Sequence, residues 1–171
     1  MLSHPLDSGG RLQAVWQQGQ TGKAGAAMTD ETEIWHLMPV AILAILWNLA
    51  GCADYVLTQY GVAPYLQILT QTNAEYFTSL PSALDGAWAI AVWGGLLGSV
   101  MLFLRLGAAP WVLGVAALAM LGLAGWLILL AVPPLAEVSG LFGVAMIAGA
   151  AGMATFFYLY ARQMRVAGAL G

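Results

Sequence analysis

Charged residues are scarce in this sequence. Only 8% of its 171 residues are Asp, Glu, Lys or Arg, whereas soluble domains carry about 25% charged residues. Hydrophobic residues make up 61% and the mean hydropathy is +0.81, so too few polar side chains remain to cover a surface in water. The sequence therefore predicts an integral membrane protein whose main partner is the lipid bilayer.

Basic residues, cysteines and histidines are scarce as well. The five Lys and Arg residues are scattered, which argues against binding to nucleic acid. The single cysteine, Cys52, excludes an internal disulfide, and only His4 and His36 could serve as imidazole ligands. The motifs of serine hydrolases, P-loop proteins and zinc proteases are missing. We therefore predict no enzyme activity, no catalytic residues, no cofactor and no metal.

Four apolar segments are each near the ~20 residues that a helix needs to cross a membrane. They lie at about 35–55, 87–104, 109–132 and 141–160, within a transmembrane domain of residues 28–165. Ser82 to Asp85 reads as a capping box before the second segment, and Pro133 with Pro134 ends the third. The expected fold is an all-α membrane protein built as a four-transmembrane-helix bundle.

The two ends of the chain differ from this domain in composition. Residues 1–27 are rich in Gly, Gln and Ser and lack an apolar run, which predicts a disordered leader. Met28 stands directly before the first hydrophobic segment and is an alternative start, in which case the leader is an over-extended reading frame. Residues 166–171 form a short tail.

Orientation follows from the basic residues, because cytoplasmic loops of membrane proteins are enriched in Lys and Arg. With four spans, the N-terminus, the second loop and the C-terminus share one side of the membrane. All five basic residues fall on that side: Arg11, Lys23, Arg105, Arg162 and Arg165. The sequence therefore predicts that both termini are cytoplasmic.

The outer loop between the first two spans, about residues 58–85, is patterned rather than merely hydrophilic. Tyr65, Leu66 and Leu69 share one helical face, and Thr72 to Glu75 reads as a second capping box. We expect two short amphipathic helices here. They either pack at the membrane surface or form a lid over a site.

Polar groups within the spans are the best functional pointers, because they are costly in lipid. Asn48 lies about 20 Å along the first helix from Trp35, and Asp54 lies about 28 Å along it, at the outer interface. Asp54 is either a hydrated interface residue or a binding carboxylate. Helical spacing and depth gather one candidate polar cluster, which consists of Asn48, Asp54, Tyr55, Thr58, Gln59 and Trp88.

We expect the Gly95 and Ser99 face of the second helix to pack against the first, with the Trp88 indole N–H bonded to Asn48 or Asp54. Small residues four apart favour such close approach. The second helix has them at Gly94, Gly95, Gly98 and Ser99, and the fourth at Ala145, Ala148, Gly149 and Gly152. Packing within the chain is the main interpretation, and an oligomer contact is the alternative.

Several segments resemble a known family. They are Trp35-His36-Leu37, Leu46-Trp47-Asn48, Asp54-Tyr55-Val56-Leu57-Thr58-Gln59, Tyr76-Phe77, Ala87-Trp88-Ala89, Val92 to Ser99, and Tyr158-Leu159-Tyr160-Ala161-Arg162. The chain resembles, over about residues 33–165, a family of small four-helix proteobacterial inner-membrane proteins that are often labelled sugar transporters. The resemblance implies a multi-pass protein of the bacterial inner (plasma) membrane, and it carries no catalytic or binding residues with it.

Two functions remain open. The first is a small polytopic membrane protein that binds or transports a small solute near the outer leaflet. The second is a non-enzymatic accessory or assembly subunit of a larger membrane complex. Four helices enclose little space, so a transporter would need at least a homodimer. Either function predicts a second copy or a larger membrane complex as partner.

Overall fold

The computed structural model describes residues 35–66 and 71–171, and this part of the chain is helical without strands. The helices are α1 (Leu37–Gln59), α2 (Ala63–Leu66), α3 (Gln71–Thr78), α4 (Ser82–Phe103), α5 (Ala109–Leu129) and α6 (Leu135–Val166). Helices α1, α4, α5 and α6 are long and apolar enough to cross a membrane. The predicted all-α, four-span fold is confirmed, and the predicted loop contains two short helices.

Some predicted features lie outside the described residues. These are the leader at 1–27, the alternative start at Met28, and Leu69 in the outer loop. The tail is described, and it folds back onto the turn between α4 and α5. There the Gly107 N–H donates to the Gly171 carbonyl over 2.5 Å, and the Gly171 N–H donates to the Arg105 carbonyl over 3.0 Å.

Proline and glycine set the helix ends. The capping box predicted at Ser82 is wrong, because the N-cap of α4 is Pro81 and no side chain caps the helix. The Pro81 carbonyl instead accepts the Leu84 and Asp85 N–H groups over 2.8 and 3.0 Å. Within α6, Gly140 breaks the helix at φ 64° and ψ −168°, a conformation essentially restricted to glycine.

The four long helices pack mainly in chain order, α1 on α4, α4 on α5 and α5 on α6, while the short α3 contacts both α1 and α6. Because successive spans run in opposite directions, the bundle has two distinct ends. We call the end that carries α2, α3 and the connection from α5 to α6 the loop end. We call the end that carries the α4–α5 turn and Gly171 the tail end.

Close packing around α4 depends on its small residues. A β-carbon at Gly98 would come within 2.7 Å of the Leu113 side chain, and one at Gly94 would lie 3.4 Å from Ala116. These glycines let α5 approach the α4 backbone. In lipid, such close packing stabilises helix association, because the hydrophobic effect contributes little there. Packing within the chain, the main interpretation for this helix, holds here.

The small residues of α6 behave differently. Ala145, Ala148, Gly149 and Gly152 are all exposed, and a β-carbon at either glycine would have no neighbour within 4 Å. For these four residues, which we call the small-residue face, the interpretation as packing within the chain is wrong. Their side of α6 points away from α5.

The described charges separate by sign between the two ends. The basic residues Arg105, Arg162 and Arg165 lie at the tail end, and the acidic residues Asp54, Glu75, Asp85 and Glu137 lie at the loop end. The chain is a multi-pass membrane protein, and its described residues have a basic and an acidic end.

Substituting Gly98 tests the packing of α4 on α5. Gly98→Val should lower the free energy of unfolding by about 1–3 kcal/mol, because the added methyl groups overpack the contact with Leu113. Gly122→Val is the matched control, since a β-carbon there has no neighbour within 4 Å. Denaturation in detergent, followed by circular dichroism, compares the two, and equal loss of stability would contradict this account of α4.

Candidate functional site

The candidate polar cluster extends along three turns of α1, about 16 Å from Asn48 to Gln59. The structure divides it into two groups. We call Asn48, Gly95 and Ser99 the mid-span latch. We call Asp54, Gln59, Tyr65 and Asp85 the loop-end network. Tyr55 and Trp88 lie between the two groups and belong to an aromatic cluster.

In the mid-span latch, Asn48 joins α1 to α4. Its Nδ2 donates to Ser99 Oγ over 3.1 Å and to the Ala44 carbonyl over 2.8 Å, and Ser99 Oγ donates to the Gly95 carbonyl over 2.7 Å. Ser99 is fully buried. A β-carbon at Gly95 would collide with the Asn48 carboxamide, so glycine is required for the amide to reach Ser99.

The predicted face of α4 therefore does pack against α1, but the predicted partner of Asn48 was wrong. Ser99 occupies the place expected for the Trp88 indole. One turn beyond Asn48, Cys52 continues the same contact: its thiol donates to the Val92 carbonyl over 3.3 Å. This buried thiol thus has a structural partner in the α1–α4 interface.

The loop-end network binds both carboxylates to side chains of the chain itself. The Tyr65 hydroxyl donates to Asp54, which ties α2 to α1, and Gln59 Nε2 donates to Asp85 Oδ1 over 2.5 Å, which ties α1 to α4. Burial, and then the bond to Asp54, raise the pKa of Tyr65 to about 12. Tyr65 therefore remains a proton donor to Asp54 throughout the physiological pH range.

An aromatic cluster fills the space beneath α3. Trp88 is 9% exposed, and its ring lies 5.2 Å from Tyr55 and 6.0 Å from Phe77 between centroids. Tyr76 meets Phe77 edge to face at 5.5 Å. Thr58, the remaining member of the predicted cluster, is buried at 2% exposure on α1.

Two polar contacts hold α3 to the other side of the bundle. Ser139 Oγ donates to Asn73 Oδ1 over 2.7 Å, and the Tyr76 hydroxyl donates to the Pro133 carbonyl over 3.3 Å. The outer loop is thus anchored both to α1 and α4 and to the start of α6. These contacts favour packing over the lid interpretation, because a lid would need to release all of them to open.

The chemistry available at the loop end is limited. Asp54 and Asp85 are already hydrogen-bonded, and no three His, Cys, Asp or Glu side chains within residues 35–66 and 71–171 converge as a metal site. Each of these bonds uses one carboxylate oxygen, so Asp54 and Asp85 keep acceptor capacity for a cationic group beside the aromatic rings.

The sequence did not reveal a cleft at the tail end. This tail-end cleft has a volume of about 230 Å³ and lies between the start of α5 and the end of α6, lined by Pro110, Trp111, Tyr158, Arg162, Arg165 and Val166. Helical spacing does group Tyr158 with Arg162 and Arg165 on α6. It does not show that Trp111 of α5 faces them.

No protein family, characterised protein or solved structure was found to match this chain. The candidate sites are therefore interpreted from the geometry of the chain alone.

A double-mutant cycle tests the mid-span latch. Combining Asn48→Ala with Ser99→Ala should show a coupling energy of about 0.6 kcal/mol and at most about 1.7 kcal/mol, the mean and the maximum measured for hydrogen bonds between membrane helices. Thr155 provides the control, because its hydroxyl bonds only to Ala151 of its own helix. Asn48→Ala combined with Thr155→Ala should be additive, and an additive Asn48–Ser99 pair would show that the latch contributes nothing.

Proposed function

We propose that this chain is a non-enzymatic accessory or assembly subunit of a larger membrane complex and that it binds neighbouring membrane helices through α6. The observation that carries the proposal is the small-residue face, where Ala145, Ala148, Gly149 and Gly152 are exposed along one helix. The partner is either a second copy of the chain or another membrane protein.

The chain's own packing supports this reading of the face. Membrane helices associate where small residues allow their backbones to approach, and α4 uses the same spacing at Gly94, Gly95, Gly98 and Ser99 to pack against α1 and α5. On α6 the same pattern has no partner within the described chain. Because α6 packs mainly on α5, its opposite side has room for another helix.

The hydrogen bonds between polar side chains also favour assembly over transport. Asn48 and Ser99 bond to each other, and Asp54 and Asp85 bond to Tyr65 and Gln59. A solute pathway needs polar groups that are available to the solute. Here the polar contacts join helices, which is the behaviour of structural bonds.

The same proposal includes a location in the bacterial inner membrane with both termini in the cytoplasm. Its support is the grouping of Arg105, Arg162 and Arg165 at the tail end, opposite the acidic loop end, together with the bias of cytoplasmic loops toward Lys and Arg. The family resemblance of residues 33–165 agrees with this location.

A second candidate function, binding or transport of a small solute, has one specific observation in its favour. At the loop end, Tyr55, Phe77 and Trp88 cluster near Asp85, and aromatic rings beside carboxylates suit an organic cation. Such a solute would bind Asp85 beside Gln59, which bonds to one carboxylate oxygen. Stabilisation of the purified chain by tetramethylammonium, in the absence of any partner, would favour this function.

Purification in mild detergent after cross-linking in native membranes tests the assembly function. The unmodified chain should copurify with a stoichiometric partner or a second copy, and the double variant Gly149→Leu with Gly152→Leu should lose it, because leucine side chains keep the backbones apart. Gly122→Leu controls for added bulk at an exposed glycine of α5 and should retain the partner. A chain that remains a monomer in the membrane would contradict the proposal.

Cysteine labelling in spheroplasts tests the orientation. In a Cys52→Ala background, Ser79→Cys at the exposed loop end should react with a membrane-impermeant maleimide, whereas Leu106→Cys at the tail end should react only after permeabilisation. Both positions are exposed, so access to the reagent decides the result. The reverse pattern would invert the proposed topology.

A further inference from the structure

The tail-end cleft combines positive charge with an apolar wall at the level where a bilayer interface would meet the bundle. Its polar side consists of Arg162 and Arg165, and Pro110, Trp111 and Val166 supply its apolar side. Trp111 is 70% exposed and Val166 is 84% exposed. The cleft therefore opens outward, toward the region that lipid occupies around a membrane-spanning helix.

The arginine charges in the cleft have no acidic neighbour among the described residues. All four described Asp and Glu residues lie at the loop end, and Glu137 precedes the break at Gly140, from which roughly 33 Å of helix leads to Arg162. Guanidinium groups present planar, paired donors that match the oxygens of a phosphate. An anion at this position would thus supply a counter-charge that none of the described Asp and Glu residues provides.

One wall of the cleft contacts Arg165. The Arg165 guanidinium carbon lies 5.8 Å from the centroid of the Trp111 ring, a cation–π contact that joins α6 to α5. Below it, the Tyr158 ring packs on Gly114, where a β-carbon would lie 3.1 Å from the ring. Gly114 thereby lets α5 and α6 close the floor of the cleft.

The start of α5 contributes little to anion binding. Pro110 has no N–H, and the N–H groups of Trp111 and Val112 donate to the Ala108 carbonyl over 3.0 and 3.3 Å. An anion in the cleft would therefore be held by the arginine side chains.

We infer that the tail-end cleft binds the phosphate headgroup of an anionic phospholipid. Phosphate is the chemistry that the two guanidinium groups recognise, and basic clefts between membrane helices at the interface are known to take such headgroups. A free phosphate would use the same donors. The apolar wall and the outward opening favour the lipid, because its glycerol and acyl chains need apolar surface beside the headgroup.

The full-length protein in detergent, titrated with lipid and followed by native mass spectrometry, tests the inference. Phosphatidylglycerol should bind more tightly than phosphatidylcholine, and Arg162→Gln and Arg165→Gln should each weaken phosphatidylglycerol binding about fivefold, the effect of one basic residue near an anionic headgroup. Arg105→Gln is the matched control, because Arg105 lies at the same end but does not line the cleft. This variant should bind phosphatidylglycerol as tightly as the unmodified chain.

Three results would overturn the inference. Equal affinity for the two lipids would remove the charge requirement, and equal weakening by Arg105→Gln would show a diffuse charge effect instead of a site. Full displacement of phosphatidylglycerol by inorganic phosphate at a similar concentration would assign the cleft to a soluble anion. Arg162→Lys is a control for misfolding, because it retains the charge and loses only the paired donors. Its affinity for phosphatidylglycerol should lie between those of the unmodified chain and the Arg162→Gln variant.

Discussion

The hydrogen bond between Asn48 and Ser99 sets the rotation of α1 relative to α4, and contacts at the loop end depend on this rotation. A polar side chain in lipid has no water to bond with, so its partner must come from the protein. Gly95 makes the bond sterically possible, because a side chain at this position would occupy the space of the Asn48 carboxamide. With α1 held in this rotation, Gln59, three turns further on, reaches Asp85 of α4.

Helices pack closely in this chain where small residues let neighbouring backbones approach each other. Helix α4 is central because both of its neighbours approach it at small residues, namely α1 at Gly95 and α5 at Gly98. Helix α6 has small residues of the same spacing, yet only its other face meets α5. The difference lies in position: α6 stands at the end of the packing order, so its remaining face has no helix packed on it within the described residues.

The sequence predicted the features that depend on one helix at a time. Span number followed from the lengths of the apolar segments, and the packing face of α4 followed from the spacing of Gly95 and Ser99. Which side chains bond to each other across these helix contacts could not be predicted. Trp88 shares the depth of Asp54, but rotation about the helix axis turns it toward Tyr55 and Phe77. The N-cap of α4 was also predicted incorrectly, because the N-cap residue is Pro81 and not Ser82.

The charged side chains at the two ends of the bundle have different kinds of partner. At the loop end, Asp54 and Asp85 have tyrosine and glutamine partners within the chain, so part of their acceptor capacity is already used. At the tail end, Arg165 has an aromatic ring as its described neighbour, and its side chain lines the cleft. A ring face attracts a cation without consuming its N–H donors in the ring plane. External anions are therefore expected at the tail end, while the loop end serves to hold the helices together.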